Sequence, residues 1–284
     1  MKNIGQWIGA CFVLVFSCTV FAEVVLPNVV GDPYEDDREY LTIEGFKVYV
    51  LPVQQYSWRG YTLEQREDER LRAIRKMTAQ LKLAVSLLPP DPINELRTRV
   101  VFYMDDTCEW GSEEEFGKTV REGKIYYSPL ASKDGSERRL GQITVRCYSA
   151  FVHKFPYKGI ALHELAHAWH DLFLPNGFEN NKIKAQFEWS KDCLHSQQKS
   201  YWKTNASEFF AEMSCSYFFR SKDIPYTDMS MEENNKNLID LAWQDPPKLD
   251  EFKPSVGSCP SESNLTLKQE DERLDKKSNS FASH

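Results

Sequence analysis

The sequence predicts an α+β fold, in which a twisted sheet packs on helices and the C-terminal half is helical. Three observations lead to this prediction. Short runs typical of strands lie at residues 39–52, 97–104 and 141–151. A long helical pattern covers residues 62–88, between the first two runs. After Gly159 most apolar residues recur at helical spacing.

The composition is that of a globular protein and excludes several function classes. The chain has 284 residues, of which 41% are hydrophobic, 13% aromatic and 27% charged, so it can bury a core. Its formal net charge of −7 lacks the basic footprint of a nucleic-acid-binding protein and disfavours anionic membranes. We therefore expect no nucleic-acid partner and, for the mature chain, no membrane partner.

The first 22 residues have the pattern of a secretory signal peptide. Lys2 precedes a mainly apolar run over residues 8–21, and Val20 and Ala22 occupy the −3 and −1 positions of a cleavage site. The run is short for a membrane anchor, and a lipoprotein signal would need Cys18 as its acceptor. We expect a secreted protein, either periplasmic or extracellular.

Five cysteines remain after removal of this segment: Cys108, Cys147, Cys193, Cys215 and Cys259. Export makes one or two disulfides plausible, although the sequence does not reveal their connectivity. Because five is odd, at least one thiol stays unpaired within the chain. No pair has the C-x-x-C spacing of a zinc cage or a redox site.

The strand and helix predictions follow from local patterns. Residues 39–52 alternate around a Glu44-Gly45 turn, which predicts a β-hairpin. The helix over 62–88 has one apolar stripe and ends at Pro89-Pro90. Residues 105–135 look irregular, and their acidic cluster at 113–115 is typical of a solvated loop or of one lining a groove. The stripe consists of Leu71, Ile74, Met77, Leu81, Ala84 and Leu88.

Further helices are predicted over residues 159–173, 181–191, 205–219 and 229–243. The chain then divides into a signal peptide (1–22), a hairpin segment (23–60), a main domain (61–245) and a polar, disordered tail (246–284). The tail is richest in Ser, Glu, Lys and Asp from Gly257 onward, and Asn264 begins a glycosylation sequon.

Three of the six histidines fall within eight residues, in the run from Ala161 to Asp171. His163 and His167 are four apart, so on a helix they project from one face and can reach one zinc ion. Glu164 lies beside the first ligand, where its carboxylate can act as general base on a zinc-bound water. This H-E-x-x-H pattern also occurs by chance on surface helices, but the apolar neighbours indicate a buried helix.

A catalytic zinc needs a third protein ligand. His170 lies about 10.5 Å along the helix from His163, so we expect it beside a ligand or on the surface. Glu208 and Glu212 share one face of the helix at 205–219. We expect Glu208 to be the third ligand and Glu212 to accept a hydrogen bond from the distal N–H of a ligating histidine. Two solvent-facing glutamates are the alternative.

The motif His163-Glu164-Leu165-Ala166-His167 with the later Glu208 and Glu212 resembles the gluzincin metallopeptidases. The run from Tyr201 to Glu212 is similar to the family of the anthrax lethal factor catalytic domain and its secreted relatives. With Tyr217 and Phe218, it also resembles exported bacterial proteins predicted to be metallopeptidases. The resemblance implies a zincin-like fold and an oxyanion-stabilising role for Tyr201, which stands seven residues before Glu208.

Together these observations predict a zinc metallopeptidase with one Zn²⁺ per chain and a peptide or protein substrate. Its metal ligands are His163, His167 and Glu208, its catalytic residues are Glu164 and Tyr201, and its supporting residues are Glu212, Asp171 and His170. His153 and His195 read as structural or surface residues. The alternatives are an inactive binding module on a zincin fold and a hydrolase of a non-protein amide, such as a cell-wall component.

Overall fold

The computed structural model confirms the α+β class. It describes residues 30–31, 39–53, 62–106, 109–110, 121–122, 124–128, 141–154, 159–193, 201–220 and 233–256. The predicted signal peptide, the acidic cluster at 113–115, His195 and the sequon lie outside these residues.

The strands are β1 (Val30–Gly31), β2 (Glu39–Ile43), β3 (Phe46–Val50), β4 (Val101–Asp105), β5 (Glu109–Trp110), β6 (Arg121–Glu122), β7 (Lys124–Ser128) and β8 (Gln142–Arg146). The helices are α1 (Leu63–Leu87), α2 (Pro90–Arg99), α3 (Tyr148–Lys154), α4 (Ile160–Phe173), α5 (Asn181–Cys193), α6 (Ala206–Arg220) and α7 (Glu233–Gln244). Short 3₁₀ turns cover Gly177–Glu179, Tyr201–Lys203 and Pro246–Glu251.

A mixed sheet of six strands has the order β1-β2-β3-β4-β8-β7. β2 and β3 form the predicted antiparallel hairpin, with Glu44 and Gly45 both at positive φ in its turn. β3, β4 and β8 run parallel to one another, and β7 pairs antiparallel with β8 at the end of the sheet. β5 and β6 pair separately.

Two of the predicted strands are shorter than their patterns suggested. Residues 97–99 form the last turn of α2, a helix that was not predicted from the sequence. The prolines at its first turn had been interpreted only as the end of the preceding helix. The run at 141–151 forms β8 and then turns at Cys147, whose φ is +66°, into α3. Apolar runs this short do not distinguish a strand from a helix.

The prediction that residues 105–135 are irregular is wrong for Lys124–Ser128, which form β7. Its five registered pairs with β8 run from Lys124 to Ser128, and Tyr127 is buried. This correction matters for the site, since β7 contacts α4 at Glu164.

The long helices fall where the sequence predicted them. α1 begins after Thr62, whose side chain forms a capping box with Gln65, and ends before Pro89. Its stripe is buried except at Leu71, which is 41% exposed. α4, α5, α6 and α7 match their predicted spans to within a few residues, and residues 229–232 lie outside the described part of the chain.

One core joins the hairpin, α1, α4, α6 and α7. Phe46 and Val48 of the hairpin belong to the same buried cluster as Leu165 of α4 and Phe210 of α6. Because β3 also pairs with β4, the hairpin is an integral part of the sheet.

None of the helices in the described residues has the length and apolar character of a membrane span.

The predicted start of the tail at residue 246 is wrong. Residues 246–256 fold back on the core, where Leu249 is fully buried and Phe252 nearly so. Lys182 also donates to the carbonyl oxygen of Phe252 at 2.8 Å. The polar composition had suggested disorder, but buried apolar side chains and a hydrogen bond from the N–H of Ser255 to Gln186 Oε1, at 2.8 Å, anchor this segment.

We expect Leu249→Ala to lower the free energy of unfolding by about 2–5 kcal/mol, since it removes a fully buried side chain. Urea denaturation would measure the change. Val256→Ala is the matched control because Val256 is 91% exposed, and it should shift stability by less than about 0.5 kcal/mol. Equal stabilities of the two variants would contradict the packing of residues 246–256.

The described cysteines agree with the expectation of at least one disulfide. Cys147 and Cys193 are each disulfide-bonded. Cys215 keeps its thiol, buried in α6 and directed at the carbonyl oxygen of Gly159 at 3.8 Å. Cys108 and Cys259 lie outside the described residues.

Candidate metal centre

Helix α4 carries the H-E-x-x-H residues in a buried position. All residues from Ala161 to His170 are buried, so polar groups on this helix must find partners. His163 and His167 lie one turn apart, and their Nε2 atoms are 3.1 Å from each other. The two imidazoles therefore point at a common position.

Helix α6 brings a carboxylate to the same position. The side chain of Asn205 accepts a hydrogen bond from the N–H of Glu208 at 2.9 Å and so caps the helix start. Phe209 and Phe210 are fully buried and anchor α6 against the core. Glu208 Oε2 then lies 3.1 Å from His163 Nε2 and 3.2 Å from His167 Nε2.

These three ligand atoms fit a metal ion. Tetrahedral ligands bound at about 2.0–2.2 Å lie about 3.3–3.5 Å from one another, close to the separations observed here. His163 Nδ1 faces Glu212 Oε1 at 3.0 Å, so a neutral imidazole donates there and presents its Nε2 lone pair to the centre. His163, His167 and Glu208 form the one cluster of possible metal ligands in the described part of the chain.

Glu164 is buried beside this cluster. Its Oε2 accepts a hydrogen bond from the main-chain N–H of Tyr127, at 2.8 Å, in strand β7. Burial raises the pKa of Glu164, whereas His163, His167 and the N–H of Tyr127 act in the opposite direction. A buried carboxylate with a raised pKa next to a metal site is a candidate general base.

Tyr201 lies beside His163 and Glu208. Its hydroxyl donates to Glu208 Oε1 at 3.2 Å, and the residue is 59% exposed. Partial burial and the charge of Glu208 raise the pKa of Tyr201 to about 12, so its hydroxyl keeps its proton at neutral pH. Buried Trp202 holds the short 3₁₀ turn that carries Tyr201.

His170 is fully buried, so the surface alternative considered for it is wrong. It packs between the rings of Phe178 and Phe210, and neither ring nitrogen has a well-formed hydrogen bond among the described residues. Burial, reinforced by His167 and Lys184, lowers the pKa of His170 to about 3. His170 is therefore a neutral residue of the aromatic packing behind His167.

We expect His170→Leu to be at least as stable as the wild type at pH 7, because leucine keeps the apolar packing of a side chain that is neutral in the folded protein. The difference should widen on acidification. The pKa of His170 is about 6.5 in the unfolded chain and about 3 in the folded protein. At pH values between these two, His170 of the wild type binds a proton only in the unfolded state.

At pH 4.5 the stability difference should therefore grow by roughly 2–3 kcal/mol. Urea denaturation of both proteins in a chelator measures it, since a metal ion cannot then stabilise either protein. A difference that stays constant between pH 7 and pH 4.5 would contradict the buried, neutral state of His170.

Asp171, expected to support a ligand, accepts a hydrogen bond at Oδ2 from the hydroxyl of Tyr127, at 2.8 Å. Asp171 thus links α4 to strand β7.

His153 is an exposed residue paired with Glu69 at 2.9 Å, which agrees with its expected surface position.

Tyr127 contacts both Glu164 and Asp171, and this role was not predicted from the sequence. The one signal in the sequence is the β-prone run of Lys124–Ser128, with two adjacent tyrosines. Five residues inside a polar stretch are too few to show an alternation.

Comparison of the chain with family models, with curated proteins and with solved structures gave no match.

Proposed function

We propose that this protein is a secreted, zinc-dependent metallopeptidase with a zincin-like form of the α+β fold. The convergence of His163, His167 and Glu208 on one position, with Glu164 buried beside it, carries the proposal. Two imidazoles and one carboxylate are a donor set of catalytic zinc sites, which keep a fourth position open. The resemblance to gluzincins in the sequence supports the same conclusion.

A bound zinc ion supplies Lewis acidity and lowers the pKa of water to about 7. The residues of the chain supply the rest. Glu212 fixes the proton of His163 on Nδ1, which leaves Nε2 for the metal. Glu208 offers Oε2 to the metal while Oε1 faces Tyr201.

Glu164 is the general base in this proposal. It would take the proton of the attacking water and pass it to the leaving amine, a role typically worth about 10²–10⁴-fold in rate. Its carboxylate is held by the N–H of Tyr127 at Oε2, so its orientation is fixed before substrate arrives.

Tyr201 would stabilise the oxyanion in this proposal. Its hydroxyl stays protonated at neutral pH, and the residue is 59% exposed, so a substrate can reach it. One such donor is typically worth about 2.7–4 kcal/mol of barrier.

The proposal is tested by comparing the zinc-loaded protein with the same preparation after chelation. Labelled casein serves as the protein substrate and peptidoglycan fragments as the non-protein substrate. We expect casein hydrolysis that is lost on chelation and restored by zinc. Hydrolysis of peptidoglycan fragments alone would favour a cell-wall hydrolase. A zinc-loaded protein that cleaves neither would be a binding module.

A further inference from the structure

We propose that Tyr127 is a positioning residue for Glu164, holding the carboxylate through its main chain while its side chain fixes strand β7 to helix α4. This inference rests on the proposed function, in which Glu164 is the general base. Tyr127 makes two hydrogen bonds to α4, each at 2.8 Å: its N–H donates to Glu164 Oε2 and its hydroxyl donates to Asp171 Oδ2.

The spacing of the two acceptors explains why one residue can reach both. Glu164 and Asp171 are seven residues apart, about two helical turns or 10.5 Å along α4. The main chain of Tyr127 lies at the first acceptor and its extended phenol reaches the second. Loss of the hydroxyl contact would therefore release one of two anchors that align β7 with α4.

The orientation of β7 makes this contact possible. β7 is the last strand of the sheet, and it pairs with β8 on one side. The N–H of Tyr127 is directed at α4, so it does not contribute to the pairing with β8. Since a shift of β7 by one residue would turn this N–H towards β8, the register of the strand decides whether Glu164 is held.

The bonds to α4 are not needed to form the strand, because β7 already has five registered partners in β8. Aromatic packing also holds the phenol of Tyr127 in place. The ring of Tyr127 packs edge-on against Phe178, which also contacts the rings of His167 and His170. Tyr127 thus joins the strand, the general base and the packing behind a metal ligand.

The arrangement assigns different tasks to the two oxygens of Glu164. Oε2 is fixed by the N–H of Tyr127, which leaves Oε1 to accept a proton from water. A carboxylate held at one oxygen cannot rotate freely, so its free oxygen stays in one orientation. Without this bond Glu164 would still be present, but its Oε1 would less often have the orientation needed to accept the proton.

The test compares Tyr127→Phe with Tyr126→Phe in the full secreted chain. Tyr127→Phe removes only the hydroxyl that bonds Asp171. Tyr126→Phe is the matched control, because Tyr126 is the adjacent residue of the same strand and keeps its ring under Arg146. We expect Tyr127→Phe to lower kcat on labelled casein by roughly 10–100-fold, the typical effect of a partner that orients a catalytic group.

KM and zinc content should stay within about threefold of the wild type in both variants, and Tyr126→Phe should keep the wild-type kcat. A wild-type kcat for Tyr127→Phe would overturn the inference. Loss of zinc in that variant would also overturn it, since Tyr127 would then act on the metal site and not on Glu164.

A second measurement separates this inference from the proposed function. Hydrogen exchange at the amide of residue 127, followed by NMR, reports the bond to Glu164 whether or not the protein cleaves casein. We expect faster exchange in Tyr127→Phe and in Glu164→Ala, and no change in Tyr126→Phe. If the wild type is inactive, accelerated exchange still supports the positioning contact, and unchanged exchange in both variants refutes it.

Discussion

We expect the Glu164→Gln variant to lose hydrolytic activity by about 10²–10⁴-fold and to keep its zinc. The substitution preserves the shape of a buried side chain and can still accept the hydrogen bond from Tyr127. It removes only the ability to take up a proton. Initial rates on labelled casein, measured beside the zinc content of the same sample, check both parts.

Glu188→Gln provides a control, because Glu188 is an exposed residue of α5 and should leave the rate unchanged. If Glu164→Gln cleaved casein at the wild-type rate, Glu164 would not be the general base. If the variant also lost its zinc, the loss of activity would say nothing specific about proton transfer. Glu164→Asp, which keeps the carboxylate, would then decide between a role in proton transfer and a role in holding the zinc.

Zinc should raise the melting temperature of the wild type, and His167→Ala should abolish this effect. A ligand present at about 1,000 times its Kd stabilises the folded state by about 4 kcal/mol. For a domain of this size that corresponds to a shift of roughly 8–16 °C. His167→Ala removes one of three converging ligand atoms. Thermal denaturation with zinc and with chelator measures the shift.

His153→Ala is the matched control, since His153 is exposed and bonds Glu69 far from the cluster. It should keep the full zinc-dependent shift. A shift that survived in His167→Ala but vanished in His153→Ala would place the metal elsewhere in the protein.

The elements with long regular patterns could be predicted from the sequence. α1 and α4 extend over many turns, so their apolar spacing is unambiguous, and Gly45 marks the hairpin turn. The short elements could not be predicted. α2 begins with prolines, and β7 has only five residues, so neither offers enough sequence for a periodicity to show.

For the candidate site, the sequence predicted which residues meet but not what supports them. The four-residue spacings of His163 with His167 and of Glu208 with Glu212 place each pair on one helix face. The contact between α4 and α6, however, depends on tertiary packing. The same holds for the bond from Tyr127 to Glu164, which joins residues 37 positions apart through a main-chain N–H, a group that every residue except proline carries.

His170 shows the limit of reasoning from spacing alone. It is in phase with His163 and His167, yet it lies among phenylalanines on the far side of the ligands. Its environment comes from Phe178 and Phe210, which belong to other segments of the chain. A helical pattern places a side chain on a face but does not say what covers that face.

Metal content is the most direct test of the central claim that His163, His167 and Glu208 hold a catalytic zinc. The chain from Glu23 onward, purified without chelators or a histidine tag, would be measured by elemental mass spectrometry. We predict about one zinc ion per chain, lost in the His163→Ala and His167→Ala variants and kept in His153→Ala. A protein that holds no zinc even after incubation with the metal would contradict the account.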